Sequence, residues 1–187
     1  MDRSLEFIEI AMLADPLPAV QAFSVPPGYR IRGFRAGDER HWASIVMGAG
    51  EFTELKEALD AFERSFGARS GELPDRMLFL ESDIDRPIGT ATAWSDDFQG
   101  KHRGQVHWVA IVPEHQGKGL ANPLVAATLR RISQEFDSAF LTTQTWSWRA
   151  VNMYRRFGFE PVIDRPDVDR ALAIIDARIS ESRGSSG

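Results

Sequence analysis

Residues 109–121 read VAIVPEHQGKGLA and hold the clearest structural signal of this chain. An apolar run typical of a buried strand ends at Pro113, a short loop with Gly117 and Gly119 follows, and a helical pattern then begins. This arrangement directs several unpaired backbone N–H groups to one point at the positive end of a helix. Glycine lets an anion approach that backbone because it carries no Cβ. We therefore predict a site for phosphate or diphosphate.

Two other anion-binding loops do not fit this stretch. A P-loop requires a lysine and then serine or threonine after its second glycine, but Leu120 follows Gly119. A dinucleotide fingerprint requires three spaced glycines and an acidic residue on the next strand, and this pattern is absent. The glycines alone leave a second interpretation open, an ordinary glycine-containing connection between a strand and a helix.

On both sides of this stretch, strand and helix patterns succeed one another. Alternating or apolar runs predict strands at residues 29–34, 77–80, 88–94, 105–112, 140–145 and 159–163, with the second and third forming a hairpin through the turn-rich residues 83–87. Helical spacing predicts helices at residues 38–48, 52–66, 119–136 and 150–157, and a last helix from Pro166. We expect an α/β (α+β) fold in which helices flank one mixed, twisted sheet.

The domain limits follow from proline-rich and glycine-rich segments. Residues 1–28 are predicted as an N-terminal extension and linker, with a strand or short helix within residues 5–13; residues 29–180 form the domain, and residues 181–187 form a flexible tail. The amino end has no basic run before its apolar residues, which argues against a signal peptide. We predict a soluble, cytoplasmic protein.

Composition excludes several classes of function. The 187 residues include 22 Lys and Arg against 27 Asp and Glu, a net charge of −5, which argues against a nucleic-acid binder. With no cysteine, the chain has no disulfide framework and no thiol nucleophile. No uncharged apolar run reaches the roughly 18 residues of a membrane helix. No histidine pair has metal-ligand spacing, so we predict no metal.

Two motifs resemble those of the GCN5-related N-acetyltransferase (GNAT) superfamily. The first is Gln-x-x-Gly-x-Ala at residues 116–121, after the apolar strand; the second is Ala-x-x-x-Tyr-x-x-x-Gly-Phe at residues 150–159. They occur in the family's order with a strand between them, and the resemblance covers residues 29–162. It implies a GNAT-like domain that binds acetyl-CoA where two central strands splay apart. At the carboxyl end the family's usual closing strand is hard to find, and we expect the last helix in its place.

The resemblance also implies roles for individual residues. The backbone of Val109, Ala110 and Ile111 would pair with the pantetheine arm of the cofactor. The diphosphate would lie against Gln116, Gly117, Lys118, Gly119, Leu120 and Ala121. Tyr154 matches the tyrosine that protonates the departing thiolate. Ser147 stands where the family commonly has a cofactor-binding asparagine; Asn152 is a further candidate for cofactor binding, with a solvent-facing polar residue as the alternative.

A base must take the proton of the attacking amine. One common base of the family is a glutamate at the position of Gln105, which is not a useful proton acceptor. His107 lies two residues on, and alternation predicts one face for Gln105, His107, Val109 and Ile111. His107 is therefore our candidate base. The alternative is a structural histidine, with Glu51, Glu81 or Asp96 acting through water. We expect His41, His102 and His115 to be solvated.

Aromatic and acidic residues are the candidates for the cleft that would hold the acceptor of the acetyl group. The residues predicted to border its cleft are aromatic or acidic: Trp94, Phe98, Trp146, Trp148, Asp96 and Asp97. They would suit a cationic amine, and the alternative is ordinary packing with solvated aspartates. We predict an N-acetyltransferase that uses acetyl-CoA on a primary amine, either a small molecule or a peptide, by direct attack in a ternary complex. The alternatives are an acyl-CoA-binding module without turnover and a structural partner; dimers are frequent in the family, so a homodimer is one expectation.

Overall fold

The computed structural model describes residues 1–83 and 87–184. Its strands are β1 (Glu9–Ala14), β2 (Tyr29–Gly33), β3 (Met77–Ser82), β4 (Pro87–Phe98), β5 (Lys101–Ile111), β6 (Ala139–Gln144) and β7 (Glu160–Pro161). Its α-helices are α1 (Glu39–Gly48), α2 (Leu55–Phe66), α3 (Leu73–Arg76), α4 (Ala121–Ile132), α5 (Trp148–Arg156) and α6 (Asp167–Gly184). Short 3₁₀ turns cover Gly67–Glu72, Pro113–His115 and Thr145–Ser147.

One mixed sheet contains all seven of these strands, in the order β2-β3-β4-β5-β6-β1-β7. Neighbouring strands are antiparallel except for β5 and β6, which are parallel. The predicted pairing of β3 with β4 is confirmed, although residues 84–86 of the predicted turn lie outside the described residues. The predicted α/β fold with helices around a mixed sheet is confirmed, and the sheet's middle strand is β5, the strand that leads into the anion loop.

Two helical layers cover the sheet because β4 carries small or apolar residues on both faces, and its first nine residues are buried. On one face, the rings of Trp42 from α1 and Phe66 from α2 pack with Phe79 and Ala110 of the sheet. On the other face, Leu124 of α4 packs with strand residues of β3, β4 and β5. The sheet is therefore covered by helices on both faces.

An amino-terminal strand completes the sheet. β1 pairs antiparallel with β6 along its whole length, from Glu9 opposite Gln144 to Ala14 opposite Ala139, and with β7 on its other side. The alternation of its side chains buries Ile10 and Met12 completely. Among the described residues, no strand follows β7, and α6 occupies the carboxyl end as expected. β1 fills the place beside β6, and α6 contributes Ile175 to the core beneath it.

The domain limits at residues 28 and 180 stay predictions. Residues 181–184 continue α6 rather than forming a loose tail, and residues 185–187 lie outside the described part of the chain. Within the described residues, none of the helices combines the length and the apolar character needed to cross a bilayer.

Candidate active site

The two central parallel strands separate soon after they meet. β5 pairs with β6 at only two positions, Gly104 opposite Ala139 and Gln105 opposite Phe140. From Val106 onward, β5 has no partner on this side among the described residues, although it stays paired with β4 up to Ile111. Backbone groups of β5 beyond Gln105 are therefore left without a strand partner on the β6 side. The predicted splay is present at the predicted strands.

A β-bulge interrupts β5 at the start of this unpaired stretch. Thr92 of β4 pairs with His107, whereas Thr90 pairs with Ala110. Two steps along β4 therefore correspond to three along β5, which has one extra residue. Trp108 takes the extra place with a φ of +48°, an uncommon backbone conformation for a tryptophan. Its indole Nε1 donates a hydrogen bond to Ser65 Oγ at 3.1 Å, which helps to hold this conformation.

The bulge changes which side chains share a face. His107 packs against the Phe66 ring at 5.7 Å and Trp108 packs against Trp42 at 5.1 Å, so both lie on the α1–α2 side of the sheet. Val109 packs against apolar residues of the opposite face. The predicted alternation therefore holds for Gln105 and His107 and is wrong for Val109 and Ile111. The reason is the extra residue, because a single insertion moves every later side chain to the other face.

The loop after β5 has the geometry of an anion site. Gly117 and Gly119 have φ values of +75° and +76°, a region that glycine enters without a steric penalty. A Cβ at either position would meet nothing within 4 Å, so the space in front of the loop is open. Among residues 1–83 and 87–184, no backbone hydrogen bond satisfies the N–H groups of residues 117–121. Unpaired donors at the start of α4 fit a diphosphate.

Not every side chain of this loop faces that space. Gln116 donates from Nε2 to the carbonyl oxygen of Ile111 at 2.7 Å, which ties the loop to the end of β5. Leu120 is 2% exposed and packs in the core, so only its backbone is available to a ligand. Lys118 is exposed and adds a positive charge beside the loop. The loop would therefore bind its ligand mainly through its backbone, as its glycines predict.

Helix α5 carries Tyr154 on its buried side. The Tyr154 side chain is 6% exposed and its ring meets the edge of Phe159 at 6.0 Å. Burial raises the pKa of the phenol above its usual value of 10.0, so the phenol keeps its proton throughout the neutral range. Tyr154 belongs to the apolar cluster against which Val109 of β5 packs. Tyr154 and Val109 therefore belong to the same apolar layer, and the role of the phenol stays a prediction.

The two polar candidates at α5 differ in their surroundings. Ser147 immediately precedes the helix, and its Oγ accepts a hydrogen bond from Gln144 Nε2 at 3.2 Å. Its hydroxyl proton remains available to a ligand. Asn152 is half-buried and stands two residues from Tyr154, on another side of the helix. Cofactor binding by Ser147 and Asn152 stays a prediction.

His107 is half-buried among aromatic rings. Burial lowers the pKa of its imidazole to about 4, and the Asp96 carboxylate acts weakly in the opposite direction. The ring is therefore neutral at neutral pH and has a free lone pair, as a proton acceptor requires. Within the described residues, neither ring nitrogen has a hydrogen-bond partner on the protein.

The three carboxylates considered as alternative bases do not share one environment. Glu81 is buried, and Arg30 and Arg32 bond its two oxygens at 2.7 Å and 2.6 Å. Burial raises the pKa of Glu81, but these bonds outweigh it and leave the pKa lowered. A carboxylate held this way is a structural ion pair, so its prediction as a base is wrong. Asp96 is exposed on β4; Glu51 is exposed too, yet partial desolvation raises its pKa.

The predicted aromatic border of the acceptor cleft is only partly assembled. Trp94 lies beside Phe66 at 5.3 Å, near His107. The other three aromatic residues lie elsewhere: Phe98 stacks on Phe140 at 4.4 Å, Trp146 packs against Phe7 at 4.9 Å, and Trp148 is in the core. The prediction that these four aromatic side chains together border the acceptor cleft is therefore wrong.

The residues that surround His107 were not predicted from the sequence. These are Trp108, Phe66 and, beyond Trp108, Phe52 at 5.8 Å from its ring. Phe52 and Phe66 stand in the apolar stripe of the predicted second helix, which was the available signal. Strict alternation along β5 predicts the opposite face for Trp108, because the bulge leaves no trace in the apolar pattern.

The remaining histidines lie away from this group. His41 and His102 are exposed as predicted, and His102 Nδ1 lies 2.8 Å from an Asp97 oxygen. His115 is half-buried instead, with Nδ1 3.1 Å from the Tyr29 hydroxyl. In the described part of the chain, no three or more His, Asp or Glu side chains come together as metal ligands would.

Curated proteins with similar sequences share a name. The chain is 30% identical over 148 residues to the mycothiol acetyltransferase of Kocuria rhizophila, covering 73% of this chain and 48% of that protein. It is 30% identical over 139 residues to the mycothiol acetyltransferase of Streptomyces bingchenggensis, covering 72% and 44%. The chain spans about half the length of the curated relatives it matches.

Solved structures show the same fold. A GCN5-related N-acetyltransferase from Sphaerobacter thermophilus matches with a TM-score of 0.65 and 21% identity, covering 82% of this chain and 48% of that one. A tandem GNAT protein from the clavulanic acid biosynthesis pathway matches with a TM-score of 0.58 and 17% identity, covering 82% and 50%.

A family model matches the part of the chain that contains the bulged strand β5, the glycine loop and helix α5 with Tyr154. Residues 41–159 match the family model described as the acetyltransferase (GNAT) family, which is more than half of the chain. The chain therefore belongs to the GNAT acetyltransferase family.

Proposed function

We propose that this chain transfers an acetyl group from acetyl-CoA to a primary amine. The observation that carries the proposal is the path formed by the splayed strands: the gap between β5 and β6 leads into the open loop with unpaired N–H groups at residues 117–121. An elongated ligand with a diphosphate in its middle and a reactive end fits such a path. Membership in the GNAT family supports acetyl-CoA as this ligand.

Backbone groups would hold the donor. The amides of residues 116–121 would bind the diphosphate, and those of Val109, Ala110 and Ile111 would pair with the pantetheine arm beside β5. An N–H near Ile111 would polarise the carbonyl of the thioester. When bound, acetyl-CoA supplies the activated acetyl group. The positive φ of the two loop glycines supports this role, because it brings the backbone itself to the ligand.

Two side chains would move protons. His107, neutral because its site is desolvated, would take a proton from the attacking ammonium or amine, directly or through water; Asp96 or Glu51 would serve if water carries the proton further. Tyr154, which holds its proton because burial raises its pKa, would donate it to the departing thiolate. The absence of cysteine supports direct attack without a cysteinyl acyl-enzyme.

The acceptor class is a primary amine on a small molecule or a peptide. The aromatic group of Trp94, Trp108 and Phe66 around His107 supports an acceptor with an apolar or cationic part. The names of the curated relatives favour a small-molecule amine over a peptide. A homodimer remains part of the proposal, because dimers are frequent in the family.

The test is a thiol-release assay with acetyl-CoA and a panel of small amines and peptides, combined with calorimetry of acetyl-CoA binding. We expect binding in calorimetry and amine-dependent release of the thiol. Binding without release across a broad panel would contradict transfer and leave a binding module. No binding at all would contradict the proposed donor.

A further inference from the structure

A buried hydroxyl lies directly opposite His107. Thr92 of β4 is paired in register with His107 of β5, so both side chains leave the sheet on the α1–α2 face. Side chains that are directly opposite on antiparallel strands have Cβ atoms about 4.5–5.5 Å apart. The hydroxyl of Thr92 is therefore a polar group beside His107 on the same face of the sheet.

This hydroxyl has no partner of its own. Thr92 is 0% exposed, and within the described residues its Oγ1 makes no hydrogen bond. A buried, unpaired hydroxyl destabilises a fold relative to valine, which has nearly the same shape. The His107 ring beside it also has no hydrogen-bond partner among the described residues. Two complementary groups thus lie unpaired in the same apolar surroundings.

We infer that Thr92 is a positioning residue for His107, an inference that rests on the proposed role of His107 as the base. The structure holds both groups without a hydrogen bond between them. When the Thr92 side chain turns towards the ring, its hydroxyl oxygen would accept the N–H of one ring nitrogen, which would select one tautomer and leave the lone pair of the other nitrogen for the proton of the amine. The proton of the amine then binds the other ring nitrogen of His107 and is released to solvent before the next turnover, and Thr92 neither gains nor loses a proton. The charged group whose field reaches His107 is Asp96 of β4, which favours the protonated ring.

The same strand supplies a matched control. Thr90 lies two residues before Thr92 on the same face, is 0% exposed, and has an equally unpaired Oγ1. Its partner across the strands is Ala110, which has no polar side chain. Replacing either threonine by valine therefore removes the same kind of buried hydroxyl, but only Thr92→Val removes one that faces a histidine.

The experiment compares Thr92→Val, Thr92→Ser and Thr90→Val in the full chain. We expect all three to fold, with Tm equal to the wild type or higher for the two valine variants. In Thr92→Val, kcat should fall about tenfold while KM for acetyl-CoA stays unchanged, since one orienting hydrogen bond is lost. Thr92→Ser should recover most of kcat, and Thr90→Val should match the wild type.

A second readout does not depend on activity. In ¹⁵N-histidine NMR, with the His107 signals assigned by their loss in His107→Gln, Thr92→Val should change the tautomer balance of His107 and Thr90→Val should not. Equal spectra and equal kcat in the two valine variants would overturn the inference. If the wild type transfers acetyl to no amine, the proposed function fails instead; the spectra then still report whether Thr92 orients the ring.

Discussion

At the scale of single residues, Tyr154 offers the most direct test of the chemistry. Tyr154→Phe removes the proton that the departing thiolate would take and leaves the apolar packing intact. We expect turnover to fall by roughly 10²–10⁴ while calorimetric affinity for acetyl-CoA is kept. Tyr29→Phe is the control, since Tyr29 is the other of the two tyrosines and its hydroxyl faces His115. Equal turnover in Tyr154→Phe and Tyr29→Phe would remove Tyr154 from the mechanism.

His107 predicts a particular pH dependence. A base accepts a proton only while it is neutral, and the pKa of His107 in the folded protein is about 4. The value of kcat/KM should therefore fall as the pH drops through this value, well below the ordinary pKa of histidine. In His107→Gln this acid limb should flatten and kcat/KM should drop, whereas His102→Gln, at an exposed position, should keep the wild-type profile. An acid limb that survives in His107→Gln would assign the base to Asp96 or Glu51.

Some roles of single residues were predictable from sequence and others were not. Tyr154 stands in a local motif, so its place on the helix after β6 follows from spacing alone. The ion pairs of Glu81 were not predictable, because Arg30 and Arg32 lie some 50 residues away and reach Glu81 only after β2 pairs with β3. Likewise, Phe98 and Trp146 have partners on other strands or segments, which no local pattern reports.

At the scale of elements, diphosphate binding by the loop between β5 and α4 can be tested by comparing two glycines with nearly the same positive φ. Gly119 and Gly100 have φ values of +76° and +73°, and a Cβ at either would meet nothing within 4 Å. Alanine at either position should cost about 1–2 kcal/mol of stability. Only Gly119→Ala should also weaken acetyl-CoA binding, by about tenfold or more, because its Cβ would stand where the diphosphate approaches.

The measurements for this pair are Tm and calorimetric affinity. Gly100 lies in the turn between β4 and β5, away from the loop, so Gly100→Ala reports the backbone strain alone. Similar Tm losses with a difference in affinity are the expected result. Equal affinity in the two variants would contradict diphosphate binding at residues 117–121.

The elements also show where local patterns stop being informative. The loop was predictable because proline, two glycines and an apolar helix follow one another within 13 residues. The bulge at Trp108 was not, since apolar residues surround it on both sides and the register is set by pairing with β4. The splay of β5 from β6 was expected from the resemblance, not from the residues of the strands themselves.

At the scale of the whole molecule, β1 should contribute strongly to stability although it lies outside both motifs. Met12 is 0% exposed in the core below the sheet. Met12→Ala should lower the free energy of unfolding by about 2–5 kcal/mol in urea denaturation, as for other large buried side chains. Leu13→Ala, on the half-buried face of the same strand, should cost less. Equal and small losses would mean that β1 is not an integral part of the fold.

The place of β1 was the largest gap in the sequence prediction. A strand near the amino terminus was one of two expectations, and its composition is compatible with several positions in a sheet. Its insertion between β6 and β7 depends on pairing with residues 139–144, which are distant in sequence. The class of fold and its central strands were predicted because they depend on local periodicity.

The inserted β1 has a consequence for how the molecule assembles. The amide of Ile8 donates to Thr145 Oγ1, a contact between residues 137 positions apart. Pairing of such distant segments first requires the closure of a long loop, which lowers the entropy of the chain before any stabilising contact forms. The edge of the sheet at β6 and β7 therefore stays unprotected until the opening segment of the chain returns to it. During refolding at high protein concentration, another copy of β1 would compete for that edge, and exchange of this strand between molecules is the expected route of misassembly.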